Sequence, residues 1–326
     1  MQNPEELLRL LGLTAEECGL SQSALANFPL RVPRAYVERI RPGDPRDPLL
    51  LQILPVMDET LAIDGFAADP VGDLASTRTP GLLQKYAGRA LLITTGACAI
   101  HCRYCFRRGF PYAEQSAAGD QLEAALQEIA SDPTLAEIIL SGGDPMVISD
   151  IRLRKLLQHL DAIPHIQRIR LHTRVPVVQP ERVTSELLAT LQSLRTRVVV
   201  VVHANHAREL DDAAVAALRA LAGVTGPVLN QSVLLRNIND SVDALASLST
   251  ALFDAGVLPY YLHQLDPVAG AAHFDVPDDE ALRLVGELLQ RLPGYLVPRL
   301  VREVPGASSK TLLGPFASPA GYIGTT

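Results

Sequence analysis

Along most of the chain, short apolar runs alternate with stretches whose apolar residues recur every three or four positions. The runs are RALLITTG (89–96), EIILSGG (137–143), IQRIRLHTR (166–174), RVVVVVHAN (197–205), VLNQSVLLRN (228–237) and LPYYLHQLD (258–266). Their length and β-branched content predict strands. Between them lie QLEAALQEIA, SDIRLRKLLQHLDAI, TSELLATLQSL, LDDAAVAALRALAG, DALASLSTALFDAG and PDDEALRLVGELLQRL. These carry the helical period, and several open on Asp, Ser or Thr, which suit N-caps. Six strands alternating with helices predict an α/β fold with a parallel sheet and right-handed crossovers. The valines at 198–202 leave no polar face, as a strand covered on both sides requires.

The first part of the chain has a different texture. NPEELLRLLGL and TAEECGLSQSALANFP predict short helices, stopped by Pro29 and Pro33. Pro, Gly and Asp then dominate as far as about residue 80, which reads as an irregular arm. The expected organisation is a helical and irregular N-terminal arm over 1–84, a barrel over 85–312 and a tail over 313–326. No repeat, heptad or low-complexity segment interrupts it.

Polar residues collect where the predicted strands end: Thr94-Thr95-Gly96, Ser141-Gly142-Gly143-Asp144, His172-Thr173-Arg174, His203-Ala204-Asn205-His206, Gln264 and Asp266. Ligands of barrels and open α/β sheets bind at that end. A site is thereby located before its chemistry is known.

Composition narrows the classes. Hydrophobic residues make up 48% and charged residues 20%, which excludes a disordered chain. The net charge of −7 argues against nucleic acid or an anionic membrane as the main partner. No apolar run has the roughly 18 residues of a membrane span. The first residues lack the basic and apolar regions of a signal peptide, so a cytoplasmic location is expected.

Three of the four cysteines, Cys98, Cys102 and Cys105, lie in TTGACAIHCRYCFRRGF with C-x3-C-x2-C spacing. Three close thiolates suit an iron–sulfur cluster, and on a four-iron cube they leave one iron free to bind a further ligand. The residues alone leave open a zinc site completed by His101 or Cys18, or cysteines with no metal. Cys18, without such a setting, reads as a packing residue. Lys310 follows the small residues of PGASS, and an unhindered amine on such a loop can form a Schiff base with pyridoxal 5′-phosphate (PLP). Alone it could equally be a solvated charge.

C-x3-C-x2-C after the first strand of a βα barrel resembles the radical S-adenosylmethionine (SAM) superfamily. SGGDP after the second strand resembles that superfamily's glycine pair, which meets the SAM methionine amine. From about residue 85 to 312 the chain resembles the lysine 2,3-aminomutase family. LLITTGACAIHCRYCFRR, EIILSGGDP, TRVPVVQPERVT, HANH, LNQSVLLRNIND, YYLHQLDPVAGAAHF, GYLVPRL and PGASSK carry the likeness, in order. It implies a radical SAM partial (βα)6 barrel with a short PLP-lysine segment. It also implies a [4Fe–4S] cluster on Cys98, Cys102 and Cys105, with SAM near Ser141, Gly142, Gly143 and Asp144. Reductive cleavage of SAM would yield the 5′-deoxyadenosyl radical that removes hydrogen from the substrate.

The same resemblance assigns the charged residues. Lys310 would carry PLP and Arg89 would lie near its phosphate. Arg107 would hold the α-carboxylate of L-lysine through its guanidinium fork. Asp266 and Glu303 would hold the far ammonium. His203, Asn205 and His206 would line the pocket without an assigned role. Two departures stand out: Glu303 replaces an aspartate, and no cysteine follows Cys105, so the structural zinc of the catabolic enzymes has no ligands. HTR at 172–174 and the REVPG…K ending resemble the branch that makes (R)-β-lysine for elongation factor P. The partners this implies are a lysyl ligase, elongation factor P itself, and a flavodoxin or ferredoxin reductant. The carboxylates argue against an acidic substrate. A different amino acid, or a non-catalytic iron–sulfur protein, remains the alternative at this level.

Overall fold

All six apolar runs become strands and pair side by side in chain order. The computed structural model describes residues 1–117 and 119–314. Its strands are β1 Thr77–Thr79, β2 Leu82–Tyr86, β3 Arg89–Thr95, β4 Glu137–Gly142, β5 Arg168–Thr173, β6 Arg197–Val202, β7 Val228–Val233, β8 Val257–His263, β9 Arg299–Arg302 and β10 Thr311–Leu312. They form one sheet ordered β1 to β10. Strands β3 to β9 are parallel, and the antiparallel pairs lie at the two edges. Helices Asp120–Ser131, Asp150–Asp161, Ser185–Ser193, Asp212–Val224, Val242–Asp254 and Asp278–Arg291 alternate with the parallel strands. The six expected βα units are present, and β9 adds a seventh parallel strand to the partial barrel.

Local chemistry explains the helix starts. Ser149, Thr184, Asp211 and Ser241 each accept a hydrogen bond from the N–H three residues on, satisfying a donor that the helix leaves unpaired. Four of the five valines at 198–202 are buried, as a two-sided strand demands. The edge strands β1, β2, β9 and β10 were not expected. With two to five residues each, they are too short to show a period. β1 and β2 bring the sheet into the region read as arm, across residue 84. Residues 315–326 of the expected tail lie outside the described residues.

Among the described residues the sheet does not close by strand pairing; one side-chain hydrogen bond and one main-chain bridge span the gap instead. Tyr86 on β2 donates to Glu303 Oε1 at 2.6 Å, just beyond β9. The main chain of Ala67 bridges the loop after β8, donating to Pro267 at 2.8 Å and accepting from Ala269 at 2.9 Å.

The arm shares one continuous core with the barrel, to which it contributes Leu7, Leu8, Tyr36, Leu49, Leu50 and Ile53. It also clamps the cysteine loop. Arg103 donates to both oxygens of Glu59, at 2.8 and 2.6 Å, and Arg108 donates to Oε2 at 2.6 Å. The Arg103 and Glu59 side chains are 0% and 1% exposed. Among the described residues no helix is long and apolar enough to cross a membrane.

Removing one partner of such a pair leaves a buried charge uncompensated, which costs about 3–5 kcal/mol. Glu59→Ala is therefore expected to lower unfolding stability by about that amount. Denaturant titration of the cluster-free chain measures it; a loss below about 1 kcal/mol, the worth of a surface pair, would contradict the clamp.

Candidate active site

The parallel strands bring their C-terminal loops to one end of the barrel. Cys98, Cys102 and Cys105 lie on the loop after β3, and SGGD follows β4. The HTR and HANH motifs end β5 and β6, and Asp266 follows β8. Glu303 follows β9, and Lys310 immediately precedes β10.

The cysteine loop is held by the arm. His101 N donates to Arg31 O at 2.9 Å, and Arg103 N donates to Gln52 O at 2.9 Å. His101 Nδ1 lies 2.7 Å from Pro29 O, so that nitrogen carries the proton. Its ring stacks on Phe28, with centroids 4.8 Å apart. His101, considered above as a zinc ligand, is thus an anchor. Among the described residues no three or more His, Cys, Asp or Glu side chains converge as a single metal ion would need. Burial pushes the Cys98 and Cys105 thiols up, Cys105 to about 11, and neighbouring cysteines add to it. These two thiols would need a bound metal's charge to ionise near neutral pH.

The glycine pair serves close chain contact. Gly143 N donates to Thr95 O at 2.7 Å, and Asp144 N donates to Ala97 O at 2.8 Å. A Cβ on Gly143 would stand 2.1 Å from the Ala97 carbonyl oxygen. A Cβ on Gly142, whose φ is +119°, would stand 2.6 Å from that of Thr95. Any side chain would push the second loop off the first. A ligand amine is a donor and needs carbonyl oxygens, so using these two N–H groups leaves that role intact. The Asp144 carboxylate accepts from Met146 N, Thr173 Oγ1, Arg174 N and Val175 N at 2.7–3.2 Å. Its side chain braces the β4 loop against β5.

Arg107 is buried with its fork held in place. Nε donates to Asp73 Oδ2 at 2.6 Å, and a terminal nitrogen donates to Ser141 Oγ at 3.1 Å. The Asp73 carboxyl is pushed up by burial, but the Arg107 and Lys85 cations outweigh this and hold it below its usual range. Lys85 Nζ lies 2.7 Å from Asp73 and 3.8 Å from Glu303. Lys310 Nζ lies 2.5 Å from Glu303 Oε2. Arg89 lies over the Tyr86 ring, 4.6 Å from its centroid, and Tyr86 holds Glu303. The predicted Arg107, Arg89, Glu303 and Lys310 thus join one network, through Asp73, Lys85 and Tyr86.

Asp266 completes the pocket. Among the described residues its buried Oδ1 has no hydrogen-bond partner. Burial raises its carboxyl to about 7 although the Lys310 ammonium nearby opposes the shift. Nε2 of His172 and of His263 are likewise buried and unpartnered. Burial drives both imidazoles well below their usual range, and the Lys310 cation adds to this. Burial takes His203 down to about 4. All three are neutral near pH 7. Buried polar atoms left without a partner around Lys310 are available to a polar ligand. Asn205 and His206 belong instead to the framework. Asn205 bonds Gln52 and the Val233 N–H, while His206 caps a short turn through the Arg208 N–H.

Asp73, Lys85, Tyr86 and His263 carry no motif that singles them out. Only His263 stood in a quoted segment, YYLHQLDP.

Comparison with known proteins shows the family. Residues 92–248 match the Radical SAM superfamily. An L-lysine 2,3-aminomutase of Escherichia coli is 50% identical over 95% of this chain and 91% of its own. One from Haemophilus influenzae is 43% identical over 96% and 92%. That of Clostridium subterminale is 33% identical over 97% and 76%. The chain belongs to the lysine 2,3-aminomutase family of radical SAM enzymes. It is an enzyme of the isomerase class. The superfamily implies a [4Fe–4S] cluster and SAM, and the donor set fits: three soft thiols on one loop, against a glycine pair with no room for side chains.

In this aminomutase the unfolded Asp266 carboxyl releases its proton near its usual value and the folded one near 7. Between these values the folded chain holds the extra proton, so stability falls as pH rises. Asp266→Asn is expected to remove that slope, worth on the order of a few kcal/mol. Denaturant unfolding of the cofactor-free chain at pH 5 and pH 8 tests this; identical pH dependence in variant and wild type would refute it.

Proposed function

We propose that the enzyme converts L-α-lysine to (R)-β-lysine with PLP on Lys310, and that the product serves the β-lysylation of elongation factor P. The observation that carries the lysine reading is the unpartnered Asp266 carboxylate beside the Lys310–Glu303 pair. Two carboxylates and a guanidinium fork, linked through Asp73 and Lys85, offer the partners that a zwitterion with a distal ammonium needs. A substrate lacking that ammonium would leave buried charge unpaired. The elongation factor P branch and the R hand rest on the sequence resemblance alone.

Bound PLP would supply the electron-accepting imine across which nitrogen moves from Cα to Cβ, while one hydrogen moves from Cβ to Cα; the net change is an isomerisation. Lys310 Nζ would anchor PLP, and Arg89 would stand at its phosphate. Glu303 sits where it can take the proton that the Lys310 ammonium must lose before its amine can bond to carbon. Asp73 and Ser141 orient Arg107 and leave its remaining N–H groups for the substrate carboxylate. The neutral His172, His203 and His263 offer hydrogen bonds without adding charge that would repel an ammonium. Fixing both ends of the substrate sets the position of its β-carbon.

The deciding experiment is anaerobic. The reconstituted enzyme receives PLP, SAM, dithionite and L-lysine, and the product is resolved on a chiral column. (R)-β-lysine supports the full reading. (S)-β-lysine keeps the reaction and removes the elongation factor P assignment. No β-lysine from protein with an intact cluster and bound PLP would overturn the substrate. Lys310→Ala is expected to abolish lysine turnover while SAM is still cleaved reductively; loss of both activities would make Lys310 structural. Asp73→Asn, which frees the Arg107 fork, should lower kcat/KM for lysine by about 10- to 100-fold, the worth of a charge-assisted hydrogen bond. Steady-state kinetics check that, and an unchanged kcat/KM would remove Asp73 from the site.

A further inference from the structure

The loop after β5 turns one buried cation toward the cysteines. A terminal nitrogen of Arg174 donates to Cys102 Sγ at 2.7 Å. The other donates to Glu209 Oε2 and to Gln52 Oε1, each at 2.7 Å. The Arg174 and Glu209 side chains are 6% and 0% exposed. The Arg174 main-chain N–H is fixed on Asp144 Oδ2 at 2.7 Å. Its guanidinium lies 5.7 Å from the ring centroids of both Tyr36 and Tyr104. Glu209 is itself immobilised, accepting from Asn205 N at 2.8 Å, His206 N at 3.1 Å and Gln52 Nε2 at 3.2 Å. Arm, cysteine loop and β6 loop meet on this one side chain, and the β4 loop holds its main chain.

We propose that Arg174 is a positioning residue for the cluster: its hydrogen bond to the Cys102 sulfur sets the potential at which the cluster accepts its electron. Reduction adds one electron to the cluster and moves no proton, and the N–H stays on the guanidinium. The reduced cluster carries one more negative charge, part of it on the cysteine sulfurs. A donor aimed at one of those sulfurs stabilises the reduced form more than the oxidised form and raises the potential. Glu209 neutralises the buried charge without reaching the sulfur, so the donor is retained in a dry setting where it acts strongly. This inference rests on the superfamily's cluster and not on lysine as substrate.

The test is potentiometry of the reconstituted full-length enzyme, without SAM or lysine, using dithionite and following the EPR signal of the reduced cluster. Arg174→Gln is expected to move the midpoint to more negative potential at the same iron and sulfide content per chain. Arg174→Lys, which keeps the charge opposite Glu209 but offers no fork, is expected to fall between. A purely structural role would lower cluster content or thermal stability and leave the midpoint of the retained cluster unmoved; an Arg174→Gln midpoint equal to wild type overturns the proposal. Should Arg174→Gln hold too little cluster to measure, Arg174→Lys decides: a negative shift supports the assignment and a wild-type midpoint ends it. The readout uses no substrate, so failure of the lysine assay and failure of this assignment remain distinguishable.

Discussion

A loop carrying three cysteines among short turns has little to hold its shape, and here the shape is imposed from outside by the Glu59 carboxylate. Glu59 sits between Arg103 and Arg108, which follow Cys102 and flank Cys105 along the chain. The arrangement is demanding, because each ion is removed from water and only the close pairing offsets that loss. Its consequence is directional. Between these two arginines, Cys105 is bracketed by the clamp, while Arg107 turns to Asp73 and Ser141 and Arg108 to Glu59. The arm is therefore part of the active site and not a cover for a finished barrel.

The residues around Lys310 contrast with the saturated carboxylates nearby. Asp144 has four donors on one carboxylate, and Glu209 has a similar set. Asp266, His172 and His263 are buried and keep atoms without partners among the described residues. Leaving such atoms unpaired costs stability in the free protein, which a polar ligand can offset on binding. The charges are paired so that they can be reassigned: Glu303 holds Lys310 and Tyr86, and Asp73 holds Arg107 and Lys85. A substrate with one carboxylate and one distal ammonium offers each set a new partner.

Much of this was legible in the residues. The apolar runs marked all six central strands, because a two-sided strand such as 197–202 must be apolar at nearly every position. The polar strand ends located the site, because parallel strands share one C-terminal face. C-x3-C-x2-C and the glycine pair, read with the family resemblance, pointed to the [4Fe–4S] cluster and SAM, since their spacing is local; PGASSK carried the PLP expectation only through that resemblance. Edge strands of two to five residues were not legible, and neither was Asp73, which lies in an irregular stretch with no period. The glycine pair was read for ligand approach, whereas the carbonyls of Thr95 and Ala97 already leave no room there for a Cβ.

The division follows the range of the forces. Sequence by itself determined what depends on neighbours along the chain: strand and helix periods, caps, the cysteine spacing and the lysine on its small-residue loop. Tertiary structure alone decided which distant charges meet. Glu59 with Arg103, Asp73 with Arg107, and Glu209 with Arg174 are separated by 44, 34 and 35 residues. No local pattern encodes such a pairing, because its energy exists only once water has been excluded from both partners together.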